Sequence, residues 1–376
     1  MMRYKIKASL IEQSWFEDII FKTLDMYNFT TLDGDREELT HSPLAEFLRN
    51  PKTWGGLHRD LIGVPIEEGI EKRLEDFIVL YKSIKRDGYQ DDSPPLFVWF
   101  DDDGFIRLYD GHHRLSIIRY LKLDPEIWVS TDWSSKGIDP TGIVGRDFPL
   151  AEMASSIWGF NRLYHFVNDP AGRLKDFTIQ RPDSTERRDY ILKNLTCKIK
   201  EVKIGKPLPD LLGEEGSVLD IGCSEGYLSH EIAKEGWDVT AIEKGYIPGE
   251  DERGRKLIAI ARYLATIQNI KMKCVLSDWK DVIKNQGVFF DNILYLSVLH
   301  NEINALGEGP AFENLTLLRG KCKKLFIEIP DIKEQPDWAY IFKIDEIIPK
   351  LERVTKMKFR EVWQGYRPIL LFQKPL

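Results

Sequence analysis

From residue 216 onward, short runs of consecutive apolar residues alternate with stretches whose apolar positions recur every three or four residues. The runs at 217–222, 238–243, 271–276, 290–296 and 324–328 read as buried strands, and 227–235 and 254–268 read as amphipathic helices between them. Strands separated by helices pair in parallel, because the crossover returns the chain to the same end of the sheet. Two final strand-like runs, 358–363 and 368–373, are joined across Gly365 by a short turn and must pair antiparallel. The pattern therefore predicts an α/β fold for 201–376, a Rossmann-like doubly wound sheet with a reversed edge strand.

The first 150 residues alternate differently. Leu74, Phe77, Ile78, Tyr81 and Ile84 share one helical face, Pro94 and Pro95 stop that helix, and a strand follows at 96–100. Asp101, Asp102, Asp103 and Gly104 make a hairpin turn, since Asp and Gly tolerate the left-handed backbone of tight turns. A second strand then runs into Asp110-Gly111-His112-His113-Arg114 and a helix, which gives helix, strand, turn, strand, helix, an α+β domain over 1–150. Between 151 and 200 the periodicity weakens. Asp169-Pro170 and Arg181-Pro182 interrupt it, and Arg and Lys accumulate from 173 to 206. This predicts a connector whose cations either form a solvated face or grip an anionic substrate.

Composition narrows the choices. With 376 residues, 43% of them hydrophobic and 30% charged, each half can bury a core of its own. No apolar run is long enough to span a bilayer, no membrane partner is expected, and the first residues lack a secretory pattern, so the expected compartment is the cytoplasm. The four cysteines, Cys197, Cys223, Cys274 and Cys322, form no Cys-x-x-Cys pair, and neither a metal site nor a disulfide framework is expected. A net charge of -7 gives no global attraction to phosphate backbones; a nucleic-acid partner would need a local patch and is not favoured over a small-molecule or nucleoside-type substrate.

Candidate chemistry concentrates at the predicted strand ends. Asp220 closes the first strand, and Gly222, Cys223, Ser224 and Gly226 form a tight loop before a helix, where open α/β sheets bind ligands. Asp220 is placed to pair with an ammonium group. Glu243, about twenty residues on, is placed to accept from both hydroxyls of a ribose. Asp278 ends the third strand and can accept from an adenine amino group; Trp279 either stacks on the ring or packs in the core. The fourth strand end brings Ser297, His300, Asn301 and Glu302 toward a methyl-donor pocket, with His300 either a base or a strand-end cap. These four strand ends, in this order, resemble class I S-adenosylmethionine (SAM) dependent methyltransferases over about 215–330. The resemblance implies SAM as cofactor, Asp220 to Gly226 as the first motif, Glu243 as the ribose acid and Asp278-Trp279 on the adenine side. Ser224 stands where many members have a glycine. The fourth motif lacks the Pro-Pro or Pro-Cys arrangements of DNA amino- and cytosine-methylating enzymes, so those two reactions are disfavoured.

In the first half, the helix opened by Gly111, His112, His113 and Arg114 offers free amides and a guanidinium to a phosphate. A purely structural turn at Gly111 is the alternative. Residues from about 60 to 130 resemble the ParB/sulfiredoxin-like superfamily, in the branch that includes archaeal free-serine kinases. That resemblance implies ATP or ADP at Gly111 to Arg114, Asp110 as acid/base or magnesium partner, and Glu67 as the matching carboxylate, with Glu68 and Glu71 nearby. Three functions stay open: a methyltransferase with a nucleotide-binding and possible kinase domain, a phosphotransferase whose second half only binds, and a nucleic-acid-associated ligand-binding protein.

Overall fold

Leu74, Phe77, Ile78, Tyr81 and Ile84 lie buried along one face of the helix Ile66–Asp87, where their spacing puts them. In this computed structural model the described residues are 3–12, 16–30, 39–50, 66–131, 148–159, 161–195, 216–244, 251–285, 287–330 and 342–375. The chain divides into two compact units, the first of residues 1–148 without 102–104, the second of 149–376 with 102–104.

In chain order the first unit holds β1 (Arg3–Lys7), α1 (Glu17–Thr30), α2 (Pro43–Arg49), α3 (Ile66–Asp87), β2 (Leu96–Phe100), β3 (Ile106–Asp110), α4 (His112–Tyr120) and β4 (Glu126–Ser130). Its sheet runs β1-β4-β2-β3, antiparallel in both outer pairs and parallel between β2 and β4. The central strand β2, Leu-Phe-Val-Trp-Phe, is almost wholly buried, whereas β1 at the edge alternates buried and exposed positions.

The second unit is built on seven strands: β7 (Ser217–Ile221), β8 (Asp238–Glu243), β9 (Lys273–Leu276), β10 (Phe290–Tyr295), β11 (Cys322–Glu328), β12 (Lys358–Trp363) and β13 (Ile369–Gln373). Their order is β12-β13-β11-β10-β7-β8-β9, parallel from β11 to β9. The expected reversed edge strand is corrected in position. The reversed strand β13 pairs antiparallel on both sides, with β11 and with β12, and so lies one place in from the edge. Burial explains the order: Ile369 to Phe372 are all buried, while β12, Lys-Phe-Arg-Glu-Val-Trp, keeps exposed or half-buried positions suited to an edge.

Residues 150–195 do not form a solvated linker. Here α5 (Leu150–Trp158), the short parallel pair β5 (Arg162–Leu163) and β6 (Thr178–Ile179), and α6 (Ser184–Asn194) belong to the second unit. Ile191 of α6 packs with Val218, Leu294 and Phe326 of the sheet. The rest of the expected connector, including the cations at 198–206 and Cys197, lies outside the described residues, as does Pro65 before α3. No helix among the described residues is long and apolar enough to cross a membrane.

Candidate functional site

Backbone bonds tie the loop after β7 to its neighbouring strand: the amides of Gly222 and Cys223 both donate to the Ile242 carbonyl, at 2.9 and 3.1 Å. Gly222, Ser224 and Gly226 take left-handed φ values of 74°, 54° and 83°. At Gly226 a side chain has no room, since a Cβ would lie 2.8 Å from that of Ala261. This turn launches α7 (Tyr227–Lys234) and leaves a cavity of about 1080 Å³ over the carboxyl ends of the parallel strands. Asp220, Gly222, Cys223, Ser224, Glu243, Ser297 and His300 line it.

Two buried carboxylates face this hollow. Burial raises Asp220 to about 6 although the Ser229 hydroxyl donates to it at 2.5 Å. Burial also raises Glu243 to about 8, opposed by the amides of Ser224 and Lys244, which donate at 2.8 and 3.0 Å. Each Glu243 oxygen thus takes one amide and keeps a lone pair. A third buried acid, Glu225, turns the other way, accepting from the Ser224 hydroxyl at 2.6 Å and the Tyr164 amide at 2.9 Å. It fastens the 161–164 segment to the loop.

The opposite end of the cavity holds residues that sequence reasoning missed. Glu328, at the end of β11 and 0% exposed, accepts from Arg181 at 2.8 and 3.2 Å and from Arg187 at 3.1 Å, and it also bonds the Ser297 hydroxyl. Burial would raise this carboxyl, but the charges of Arg181 and Arg187 outweigh it and hold Glu328 well below the ordinary carboxylate range. Arg367, just before β13, donates to the Tyr164 hydroxyl at 3.2 Å and to Ser297 at 3.1 Å. Glu328 carried the same signal as Asp220, an acid ending an apolar strand. Arg181 and Arg187 were visible only as part of a surplus of cations.

Other expected residues are placed differently. Asp278 and Trp279 are not among the cavity's lining. Asp278 caps α9 (Trp279–Lys284), accepting from the Lys280 amide at 3.0 Å and pairing with Lys244 at 3.2 Å. Trp279 is core: its ring meets Tyr295 edge-on at 5.6 Å and its N–H donates to Glu302 at 2.9 Å, so the stacking role does not fit this placement, and Glu302 is occupied with it. His300 lies in the first turn of α10 (Leu299–Leu306) rather than at the strand end. Burial, with Arg367 second, lowers it to about 3, so the imidazole is neutral at pH 7. Asn301 lines the cavity and donates to the Ser297 carbonyl at 2.7 Å.

In the first unit the Asp-Gly-His-His-Arg turn is closed on itself. Gly111 has φ 101° and starts α4, and the Asp110 carboxylate accepts from the Gly111 amide at 2.7 Å. Arg114 donates to the carbonyls of Pro94 and Pro95. His113 sits between Phe16 and Phe77, both at 5.4 Å, and burial lowers it to about 4. His112 approaches the Tyr109 carbonyl at 3.2 Å. Glu67 is held by Arg49, with contacts from 2.7 to 3.2 Å, in an exposed pair. Arg114 and His113, expected at a phosphate, are thus both engaged within the fold, and Glu67 is engaged by Arg49. Among the described residues no group of three or more His, Cys, Asp or Glu side chains is placed to hold a metal ion.

No family model and no curated protein matches this sequence. Solved structures with partial likeness include the bifunctional kinase-methyltransferase WbdD, at 20% identity and TM-score 0.43, covering 60% of this chain and 46% of that one. Another is the magnesium protoporphyrin IX methyltransferase ChlM from Synechocystis PCC 6803 with bound SAM, at 18% identity and TM-score 0.33, covering 43% and 71%. A third is the mitomycin 7-O-methyltransferase MmcR, at 16% and 0.34, covering 43% and 49%. The match spans about half the length of WbdD. Scores this low assign neither fold nor activity to the chain.

Proposed function

We propose that the second unit is a methyltransferase that takes its methyl group from SAM. The observation that carries this is the pair of buried strand-end carboxylates, Asp220 and Glu243, facing one cavity beside a loop whose closing glycine, Gly226, has no room for a side chain. Burial pushes both carboxyls toward the protonated form despite the hydrogen bonds each accepts, and a ligand that adds further donors and positive charge would stabilise them as anions. Glu243 would accept from the ribose hydroxyls and Asp220 from the methionine ammonium, directly or through water. The sulfonium arrives already activated. The protein has only to align the acceptor and exclude water, so few reactive side chains are needed. His300, neutral and a weak base, would orient rather than deprotonate the acceptor. A phosphotransferase role for the first unit rests on its sequence motif alone.

Calorimetric titration of the full chain with S-adenosylhomocysteine (SAH) tests this. Wild type should bind, Asp220→Ala and Glu243→Ala should each bind about ten- to a hundredfold more weakly, and Glu67→Gln should match wild type. Absence of SAH binding to wild type, or binding unaltered in both carboxylate variants, would refute it.

A further inference from the structure

Planar side chains form a row along one wall of the cavity. The Arg253 guanidinium lies 4.5 Å from the centre of the Trp158 ring, and Trp158 stacks on Tyr164 at 5.3 Å with 17° between the planes. Arg181 lies over the next two rings, 5.8 Å from the centre of Tyr164 and 5.4 Å from that of Tyr366. All five residues line the cavity, and attraction between π faces and guanidinium groups holds such a row together. Tyr366 ends it, with 49% of its surface still exposed.

A single exposed tyrosine on a protein surface needs no explanation, but this one is held still beside a cavity. Before it, the Trp363 ring packs so closely on Gly365 that a Cβ there would collide with its carbons, and Trp363 itself stacks on Tyr190 of α6 at 5.7 Å. The Tyr366 amide donates to the Asp183 carboxylate at 3.2 Å. After it, Arg367 donates to the hydroxyls of Tyr164 and Ser297, and the Pro368 carbonyl accepts from the Ile329 amide at 3.1 Å. The backbone is thus fixed on both sides. A tyrosine presented in this way offers a broad flat surface and has little conformational freedom left to lose when a ligand settles on it.

Its position separates it from the acids. Because β13 runs antiparallel to β11, the residues before it lie where the parallel strands end. Asp220 and Glu243 stand over β7 and β8. At about 4.8 Å between neighbouring strands, β13 is about 14 Å from β7 across β11 and β10. We propose that the methyl acceptor carries a planar aromatic ring, and that this ring extends the row by stacking on Tyr366. The inference rests on the cavity's acidic half being the donor site. A saturated ring of the same size would gain the apolar contact with Tyr366 but not the attraction between two π systems.

The test uses the full chain saturated with SAH and titrated calorimetrically with naphthol, with decalol, its saturated counterpart, and with tetraethylammonium. Naphthol should bind about two- to tenfold more tightly than decalol, the range expected of one aromatic pair, and the cation should not bind. Tyr366→Leu should weaken naphthol by a similar factor and leave decalol as it was, while Tyr366→Phe should keep the wild-type preference. Unchanged SAH affinity in both variants shows that they are folded and that the donor half is untouched. The proposal is overturned if naphthol does not bind the loaded chain, if decalol or the cation binds as tightly, if Tyr366→Leu leaves naphthol unchanged, or if that variant weakens SAH as much as naphthol. If SAH itself does not bind wild type, the donor reading fails and this inference fails with it, a result distinct from the other four.

Discussion

The two units each contain a strand that runs through a left-handed glycine into a helix, and the two turns end differently. At Gly226 the nearby strand-end acids Asp220 and Glu243 line a hollow, while Glu225 turns away from it. At Gly111 the neighbouring groups make contacts within the fold: Arg114 with two proline carbonyls, His113 between two phenylalanine rings, Asp110 with the Gly111 amide. Local grammar is shared; what differs is whether the adjoining strands bring further unsatisfied chemistry to the same place. A parallel sheet does so because all its strand ends emerge on one side. The antiparallel outer pairs of the first sheet send successive ends to opposite sides.

The sharpest test of this contrast is Glu328→Ala. It leaves Arg187 buried without its counter-ion and Arg181 with Asp183 alone, and should destabilise the second unit by about 3–5 kcal/mol in urea unfolding, whereas Glu67→Ala in the first unit should leave the unfolding midpoint close to that of wild type because its pair is exposed. Because Glu328 is held below its unfolded pKa, its stabilisation is present above the ordinary carboxylate range and is lost as pH falls through its depressed folded value. Loss of the acid limb in Glu328→Gln checks that sign.

The next is a matched pair, Gly226→Ala and Gly111→Ala. Both force a side chain onto positive φ and into contact, 2.8 Å from the Ala261 Cβ in one and 2.4 Å from a Leu96 methyl in the other. Each should cost about 1–3 kcal/mol. Only Gly226→Ala should also weaken SAH, measured by calorimetry; equal loss from Gly111→Ala would erase the distinction between the turns.

His113→Phe should have a smaller effect. His113 binds its proton less readily folded than unfolded, so it lowers stability as pH falls from about 6.5 toward about 4. The variant should unfold at the same denaturant concentration as wild type at pH 8 and at a higher one at pH 5. A large loss at both would show a polar role for the ring.

The smallest expected signal is a proton. Glu243, raised to about 8, is largely protonated at pH 7, and ribose hydroxyls donating to it would favour the ionised form. SAH binding should then release a fraction of a proton into solution, seen as a dependence of the binding enthalpy on buffer ionisation heat. Uptake or no exchange would count against Glu243 as the ribose acid.

The acidic half of the cavity was legible because it is contiguous: Asp220 to Gly226 is one strand end and one loop, and Glu243 follows at the spacing of one crossover. The cationic half was not, because Tyr164, Arg181, Arg187, Glu328 and Arg367 meet only through a strand order in which β13 inserts between β11 and β12. Asp278 and Trp279 show a third case. Their strand-end position was correct, but an Asp before a helix also satisfies the helix's own amides, and a Trp N–H seeks a buried acceptor; both local demands were met here.

The placement of β13 also bears on synthesis. A ribosome delivers β11 some forty residues before β13 can slot against it, so the growing chain holds an open, apolar sheet edge until then. Arg367 enters with that last insertion. The acidic half of the cavity is therefore synthesised and can be in place before its cationic wall is complete.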